Sequence, residues 1–206
     1  RMMEIKRICV LGAGLMGSGI AQVSAEAGYE VSMRDIEDRF VQGGLNTIKK
    51  NYERAISKGK MTKEQADGFL SKIKGTVDLA SAVQGAEVVI EAVIENMDLK
   101  KQVYKELDPL CGKETIFASN TSGLSITEIA SVTKRPGKVI GMHFFNPVPV
   151  MKLVEIIKGQ STSEETFKVI KALAEKLGKT PIAVNEAPGF AVNRICLLYT
   201  SDAADE

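Results

Sequence analysis

His143 is the only histidine among the 206 residues of this chain. Imidazole is the side-chain group best suited to exchange protons near neutral pH, so His143 is a candidate general acid or base. Glu155 follows inside the next apolar run, where an unpartnered carboxylate would be costly to bury. We therefore expect Glu155 to orient the ring of His143 and to stabilise its charged form.

Both residues also allow a purely structural interpretation. A histidine that precedes two phenylalanines is often a packed or capping residue, and Glu155 could lie at an exposed position of an edge strand. The predicted location favours catalysis, because His143 is expected to follow a strand at 138–141. The carboxyl ends of strands in an open α/β sheet face the ligand crevice.

A second chemical signal lies near the start of the chain, where Gly12, Gly14 and Gly17 form the pattern Gly-x-Gly-x-x-Gly. The pattern follows a predicted strand and opens a predicted helix, which is the context that a dinucleotide-binding loop requires. The three glycines respectively permit a tight turn, let the backbone approach a pyrophosphate, and let the helix pack on the strand. The helix start favours the phosphate charge, and Leu15 and Met16 are expected to contact the cofactor as well.

Asp35 lies directly at the end of the second predicted strand, which covers 30–34. A carboxylate at this position can bind both ribose hydroxyls and repels a 2′-phosphate, so NAD is favoured over NADP. Arg34 beside it keeps NADP from being excluded, and an ordinary surface aspartate after a glycine turn is the structural alternative. A nucleotide-binding start and one titratable base favour a dehydrogenase.

Short β-branched runs alternate with longer helical patterns along the chain. This alternation predicts an α/β fold with a doubly wound, mainly parallel sheet that is covered by helices on both faces. Val77 is expected in an edge strand. The predicted strands are 5–11, 30–34, 87–91, 115–118, 138–141, 153–157 and 181–184, and the predicted helices are 18–27, 41–58, 63–72, 99–110, 125–131 and 163–177.

The composition predicts a cytoplasmic protein. Lysine plus arginine numbers 27 and aspartate plus glutamate 26, so the net charge of +1 gives no reason to expect nucleic acid or an anionic membrane as partner. The three cysteines lack a C-x-x-C spacing and are expected to be reduced thiols. We expect no signal peptide, no membrane helix and no metal site.

The combination of motifs resembles the NAD-binding domain of the L-3-hydroxyacyl-CoA dehydrogenase family, and most resembles its bacterial members that act on 3-hydroxybutyryl-CoA. The resemblance covers residues 3–195, and its longest segment is 141–155. It implies a Rossmann-type fold and an oxidoreductase that interconverts short-chain (S)-3-hydroxyacyl-CoA and 3-oxoacyl-CoA with NAD. The other matching segments are 12–22, 91–96, 118–122, 186–190 and 193–194.

The resemblance also implies catalytic roles. His143 would take the proton from the substrate 3-hydroxyl as hydride leaves C3, and Glu155 would orient it. Ser122 and Asn193 would hydrogen-bond the reacting oxygen or the histidine, and such positioning is a large share of catalysis. Ser122 would also contact the cofactor and the substrate, although the residues around it alone favour a turn or helix cap.

Further family positions imply binding roles. Glu95 and Lys100 match positions that contact the cofactor, and Asn146 matches another near the nicotinamide. Lys58 lies on a basic predicted helix and is the best single guess for a contact to the CoA phosphates. A solvated helix face is an equal alternative for Lys58.

The domain prediction has three parts: a cofactor domain at 1–185, the start of a linker or helix at 186–195, and an artefactual tail at 196–206. One reverse translation of the tail resembles a transposase-end adaptor used in sequencing libraries, so the tail is interpreted as translated adaptor. Genomic DNA that contains these codons would exclude that interpretation. Family members continue into a helical domain that covers the substrate and forms the interface of a homodimer or higher oligomer. We expect this chain, without that domain, to bind NADH but to turn over acyl-CoA poorly.

Two other functions remain open. A dehydrogenase of another β-hydroxy acid would share the glycine loop but commonly uses a lysine base. A non-catalytic nucleotide-binding relative would keep the fold without the reaction. Replacement of His143 by alanine discriminates, since it removes activity only where the imidazole is the base. The start of the chain favours a stand-alone enzyme over part of a fused protein.

Overall fold

One sheet of eight strands runs through residues 3–187, the part of the chain that the computed structural model describes. In chain order the strands are β1 Arg7–Leu11, β2 Glu30–Arg34, β3 Ile73–Thr76, β4 Val88–Glu91, β5 Ile116–Ser119, β6 Val139–Phe144, β7 Leu153–Lys158 and β8 Thr180–Asn185. Their order across the sheet is β3-β2-β1-β4-β5-β6-β7-β8. All neighbouring pairs are parallel except β6 and β7. The prediction of a doubly wound, mainly parallel, Rossmann-type sheet is confirmed.

Helices connect these strands. In chain order they are α1 Leu15–Glu26, α2 Asp38–Ser57, α3 Lys63–Ser71, α4 Leu79–Val83, α5 Met97–Leu107, α6 Ile126–Ala130 and α7 Glu164–Lys176. Several begin at a side-chain cap, because an oxygen at the N-cap satisfies one of the unpaired N–H groups of the first turn. Thr62 forms a full capping box with Gln65 at the start of α3, and Asn96 accepts from the amide of Leu99 at the start of α5.

The sheet is buried on both faces, as its central strands require. Along β1, Ile8 and Val10 belong to one apolar cluster, whereas Cys9 and Leu11 belong to another. Since successive side chains of a strand point to opposite faces, the two clusters are the cores of the two helical layers. Cys9 is a buried free thiol. Its burial raises the pKa of the thiol to about 12.

One prediction and one structural alternative near the carboxyl end of β6 are wrong. The strand expected at 138–141 continues to Phe144, so His143 lies inside β6 and not after it. Its antiparallel partner β7 continues the ladder past Gly141 and thereby extends the strand. Since β7 lies between β6 and β8, the alternative of an exposed edge position for Glu155 is also excluded.

Other differences are smaller. Helix α1 begins at Leu15, three residues before the predicted start, because the glycine loop leads directly into the helix with Gly14 as N-cap. Val77 lies just beyond edge strand β3, and the short helix α4, capped by Asp78, was not predicted. In the part of the chain described here, no helix is both long and apolar enough to cross a membrane.

Candidate active site

The glycine loop lies at the carboxyl end of β1, where two glycines are required by packing inside the protein. Gly12 has φ +100°, and a Cβ on it would lie 2.4 Å from the carbonyl oxygen of Ala92. A Cβ on Gly17 would lie 1.8 Å from the carbonyl oxygen of Gly12. Gly12 therefore permits the turn, and Gly17 permits the close approach of α1 to the loop.

Gly14 has a different environment. A Cβ on Gly14 would meet no described atom within 4 Å, so the packing described here does not require a glycine at this position. As the N-cap of α1 it also offers no side chain to the amide groups of the first turn. Leu15 beside it is 64% exposed, and Met16 is half-buried. The open space and the uncapped helix start are what a bound phosphate needs.

Asp35 follows β2 and turns toward the glycine loop. Its Oδ2 accepts a hydrogen bond of 2.8 Å from the amide of Ala13, and its Oδ1 accepts one of 2.7 Å from the amide of Ile36. A carboxylate has about four lone-pair sites, so both oxygens keep capacity for a further donor. Nε of Arg34 donates to the carbonyl oxygen of Val77.

His143 and Glu155 are direct cross-strand neighbours in the β6–β7 ladder. Nδ1 of His143 lies 3.1 Å from Oε1 of Glu155, and Glu155 is fully buried. The ring of Phe145 packs on the imidazole with 4.5 Å between centroids. The carboxylate thus has the partner that its burial demands, and it holds the imidazole in one orientation.

The segment after β5 supports the same strand. Oδ1 of Asn120 accepts a 2.9 Å hydrogen bond from the amide of Phe144, the residue after His143. Ser122 is half-buried in this segment. The hydroxyl of Thr121 accepts from the amide of Leu124 at 2.9 Å and donates to the carboxylate of Glu95. A hydrogen bond therefore joins the segment that carries Ser122 to the segment that carries Glu95.

Lys100, which matches a family position that contacts the cofactor, is buried in an ion pair. Its ammonium lies 2.6 Å from Oε2 of Glu91, and its side chain is only 1% exposed. A second contact of 3.4 Å joins the ammonium to the carbonyl oxygen of Val93. The expectation that Lys100 contacts the cofactor directly therefore does not fit its burial.

A cleft of about 520 Å³ opens between α1, the end of α2 and the turn at 146–150. Its polar lining includes Asn51, Arg54, Lys60 and Asn146. Lys58, the predicted CoA contact, is exposed at the end of α2 and is not part of this lining. The positively charged side chains that line the cleft are instead Arg54 and Lys60, which lie near Lys58 in the sequence.

Lys179 fixes the turn that forms one wall of this cleft. Its ammonium is buried and donates to the carbonyl oxygens of Val148 and, at 2.8 Å, of Met151. Burial, assisted by the nearby Lys152, lowers the pKa of Lys179. Backbone carbonyls thus hold this ammonium in place.

The structure brings most of the predicted residues to one edge of the sheet. Gly12, Asp35, Glu95, Ser122 and His143 all lie at or just beyond the carboxyl ends of strands. Asn193 lies outside the described residues. No group of acidic, histidine or cysteine side chains that could hold a metal ion occurs between residues 3 and 187.

Sequence reasoning missed Glu91, Asn120 and Lys179. Two signals could have indicated them: a charged residue inside an apolar run, and an amide directly after a strand. Their roles depend on contacts to other strands and turns. Only the folded chain reveals which groups they meet.

Comparisons with known proteins find a family and relatives that this chain resembles. Residues 7–187 match the family described as "3-hydroxyacyl-CoA dehydrogenase, NAD binding domain". The chain is 52% identical over 201 residues to a Bacillus subtilis protein named "Probable 3-hydroxybutyryl-CoA dehydrogenase", which covers 98% of this chain and 70% of that protein. It is 46% identical over 197 residues to the 3-hydroxybutyryl-CoA dehydrogenase of Clostridioides difficile, which covers 96% of this chain and 70% of that protein.

A solved structure is similar over the same part. The (S)-3-hydroxybutyryl-CoA dehydrogenase of Ralstonia eutropha superimposes with a TM-score of 0.94 at 46% sequence identity. The match covers 97% of this chain and 70% of that chain. Part of the length of each of these proteins has no counterpart in this sequence.

Proposed function

The chain belongs to the 3-hydroxyacyl-CoA dehydrogenase family, and from this membership we propose an NAD-dependent oxidoreductase that interconverts (S)-3-hydroxyacyl-CoA and 3-oxoacyl-CoA. A short acyl chain, as in 3-hydroxybutyryl-CoA, is the substrate that the names of its relatives support. The structural observation that carries the proposal is the buried His143–Glu155 pair at the same sheet edge as the glycine loop.

The residues around the glycine loop fit NAD. Gly14 leaves room for the pyrophosphate, and the uncapped start of α1 favours its charge. The carboxylate of Asp35 has capacity for the ribose hydroxyls and would repel a 2′-phosphate, which supports NAD over NADP. Leu15, Met16, Glu95 and Asn146 are proposed as further contacts. When bound, NAD accepts the hydride that leaves C3 of the hydroxyacyl group.

We assign the proton transfer to His143. With Nδ1 donating to Glu155, Nε2 is the nitrogen that takes the proton of the substrate 3-hydroxyl, and in the reverse direction it protonates the 3-oxo oxygen. Glu155 keeps the tautomer and stabilises the imidazolium that forms. Ser122, with Asn193, is proposed to hydrogen-bond the reacting oxygen and so to place C3.

The cleft beside α1 is the proposed position of the CoA group. Arg54 and Lys60 supply its positive charge and replace Lys58 as the proposed phosphate contacts. Ser122 would contact the acyl end of the substrate, at the opposite end from these cations. The exposed apolar side chains of Leu15 and Val150 line the same cleft and suit the pantetheine part.

The wider assignments are also proposals. We keep 1–185 as the cofactor domain, 186–195 as a linker, and homo-oligomerisation through a further helical domain as the expected assembly. We also propose a cytoplasmic location, because the three cysteines without a C-x-x-C spacing fit reduced thiols. The His143–Glu155 pair supports an imidazole base over the lysine base of the other β-hydroxy acid dehydrogenases.

The first test is a titration with NADH and NADPH that follows nicotinamide fluorescence. The chain contains no tryptophan, so the signal is free of indole emission. Saturable binding with NADH clearly tighter supports the cofactor assignment. Tighter NADPH would overturn the role of Asp35, and a folded chain that binds neither would overturn the function.

The second test addresses the base. Replacement of His143 by asparagine should lower acetoacetyl-CoA-dependent NADH oxidation by about 100-fold or more and leave the Kd for NADH within about twofold. High protein concentration and long assay times keep even slow turnover measurable. Unchanged turnover in His143→Asn would exclude the imidazole as the base.

A further inference from the structure

We propose that Glu91 is a positioning residue that sets the relation between the cofactor loop, defined as residues 92–96, and the catalytic strand β6. The proposal rests on the proposed function, because its readout is the binding of NADH. Glu91 is the last residue of β4 and is fully buried at the sheet edge that carries the glycine loop.

The carboxylate of Glu91 joins three separate elements. Its Oε2 accepts from the ammonium of Lys100 on α5 at 2.6 Å and from the amide of Val93 in the cofactor loop at 3.0 Å. Its Oε1 accepts from the hydroxyl of Ser119 at the end of β5, at 2.8 Å. One side chain therefore fixes the distance between two strand ends, a loop and a helix.

The cofactor loop depends on this anchor because it forms the floor of the glycine loop. The amide of Ala92 donates to the carbonyl oxygen of Leu11 at 2.7 Å, and Gly12 leaves no room for a Cβ against the carbonyl of Ala92. A shift of Val93 would move this carbonyl. The turn at Gly12 would move with it, and the site for the pyrophosphate would change.

A second path leads from Glu91 to the catalytic strand. The backbone carbonyl of Glu91 accepts from the amide of Asn120 at 2.8 Å, and the side chain of Asn120 accepts from the amide of Phe144. Phe144 directly follows His143 in β6. The carboxylate of Glu91 thus holds the cofactor loop, and its backbone carbonyl is linked through Asn120 to the strand that carries the base.

The buried ion pair of Glu91 and Lys100 is better explained by a positioning role than by a gain in stability. A buried ion pair gains little net free energy, because desolvation of both groups offsets their attraction. Glu91 and Lys100 are both within 1% of complete burial. Such a pair does, however, demand a well-defined arrangement of its partners, which suits a positioning role.

The test is a double-mutant cycle with Glu91→Gln, Lys100→Met and the double variant. The double variant removes both charges and so guards against unfolding by one unpaired buried charge. Each variant is first checked for folding by urea denaturation. The Kd for NADH is then measured under conditions where the variant is folded.

We expect each single variant to weaken NADH binding by about tenfold or more and the double variant to be no weaker than the worse single one. The matched control is Asp108→Asn with Arg135→Met, which removes another largely buried ion pair of 2.6 Å, and it should leave the Kd unchanged. Folded Glu91 variants with the parental Kd would overturn the proposal. Additive effects of the two changes would overturn it as well, because they would indicate a direct contact of Lys100 with NADH.

Hydrogen exchange provides a readout that does not depend on the cofactor. In the Glu91 and double variants, the amides of 92–96 and 119–122 should exchange faster than in the parent and in the control. Failure of the parent to bind NADH would count against the proposed function alone. Unchanged exchange in the folded variants would count against the role of Glu91.

Discussion

In the proposed mechanism, His143 exchanges the proton and Glu155 orients and stabilises the imidazole. The fully buried carboxylate faces Nδ1, so the imidazole presents its other nitrogen in a fixed orientation. A neutral amide in place of the carboxylate would fill the same space. It would lose the charge that stabilises the imidazolium.

Glu155→Gln should therefore lower acetoacetyl-CoA-dependent NADH oxidation by about tenfold or more while NADH binding stays within about twofold. The measurement pairs that assay with the fluorescence titration. The exposed Glu164, paired with Lys158, supplies the control Glu164→Gln, which should change neither quantity. Parental turnover in Glu155→Gln would show that the charge is dispensable.

Asp35 carries the proposed choice between NAD and NADP. In Asp35→Asn the side-chain oxygen can still accept from the amide of Ala13, so the glycine loop keeps its support. Loss of the charge should weaken NADH binding by about tenfold and narrow the preference for NADH over NADPH. Titrations with both cofactors measure this, and the exposed Asp38 provides the control Asp38→Asn. An unchanged preference would contradict the assignment.

Among single residues, the sequence predicts a functional role only where the neighbouring residues in the chain form a recognisable pattern. The glycines follow a predicted strand, and His143 is the only histidine of the chain. The burial of Lys100 was not readable, because its partner Glu91 lies on a different element. A cross-element contact leaves no local pattern in the chain.

Strand β6 shows what a periodic pattern leaves undetermined. Residues 139–144 are all buried, and a fully apolar run does not indicate where a strand ends. The antiparallel ladder with β7 sets the end of β6, because it pairs Phe144 with Val154. Strands β1, β4 and β5 were predicted within two residues, because a glycine or asparagine lies close to at least one end of each.

Glu186 fastens the segment after β8 to the start of helix α6. Its carboxylate accepts from the hydroxyl of Ser125 and the amide of Thr127, both at 2.9 Å, and from the hydroxyl of Thr127. Burial alone would raise the pKa of Glu186, but these hydrogen bonds outweigh it and hold the pKa below its usual value of 4.5. The ionised form is thus the one that the fold stabilises.

Because the folded-state pKa is lowered, this stability is present above pH 4.5 and is lost as the pH falls through the folded-state value. Glu186→Gln should lower the free energy of unfolding by about 1 kcal/mol at neutral pH, since the group is partly exposed. The difference from the parent should shrink as the pH falls below 4.5. Urea unfolding at several pH values measures it, with the exposed Glu53→Gln as control. A difference that is independent of pH would contradict the role of the charge.

The glycine loop lies where the order of strands across the sheet reverses. Strand β1 pairs with β2 on one side and with β4 on the other, so the glycine loop opens into the crevice between the two connections. A larger hollow of about 780 Å³, lined by Asp108, Lys113 and Arg135, lies at the opposite, amino ends of β5 and β6. Volume alone would therefore select the wrong end of the sheet.

Binding at this crevice should stabilise the whole domain, because only the folded chain assembles the site. NADH at about ten times its Kd should add about 1.4 kcal/mol to the free energy of unfolding, which corresponds to a rise in Tm of roughly 3–6 °C. Thermal denaturation followed by circular dichroism measures the shift. NADPH at the same concentration should raise Tm less, and equal shifts would contradict the preference for NAD.

The antiparallel pairing of β6 and β7 has a consequence for how such a protein can diversify. The register that opposes His143 to Glu155 is set by the ladder, whereas the connection at 145–152 supplies part of the wall of the cleft proposed for the CoA group. Substitutions or insertions in that connection can reshape the cleft without separating the two side chains. A lineage can thus change how it binds the CoA group while the His143–Glu155 pair is inherited intact.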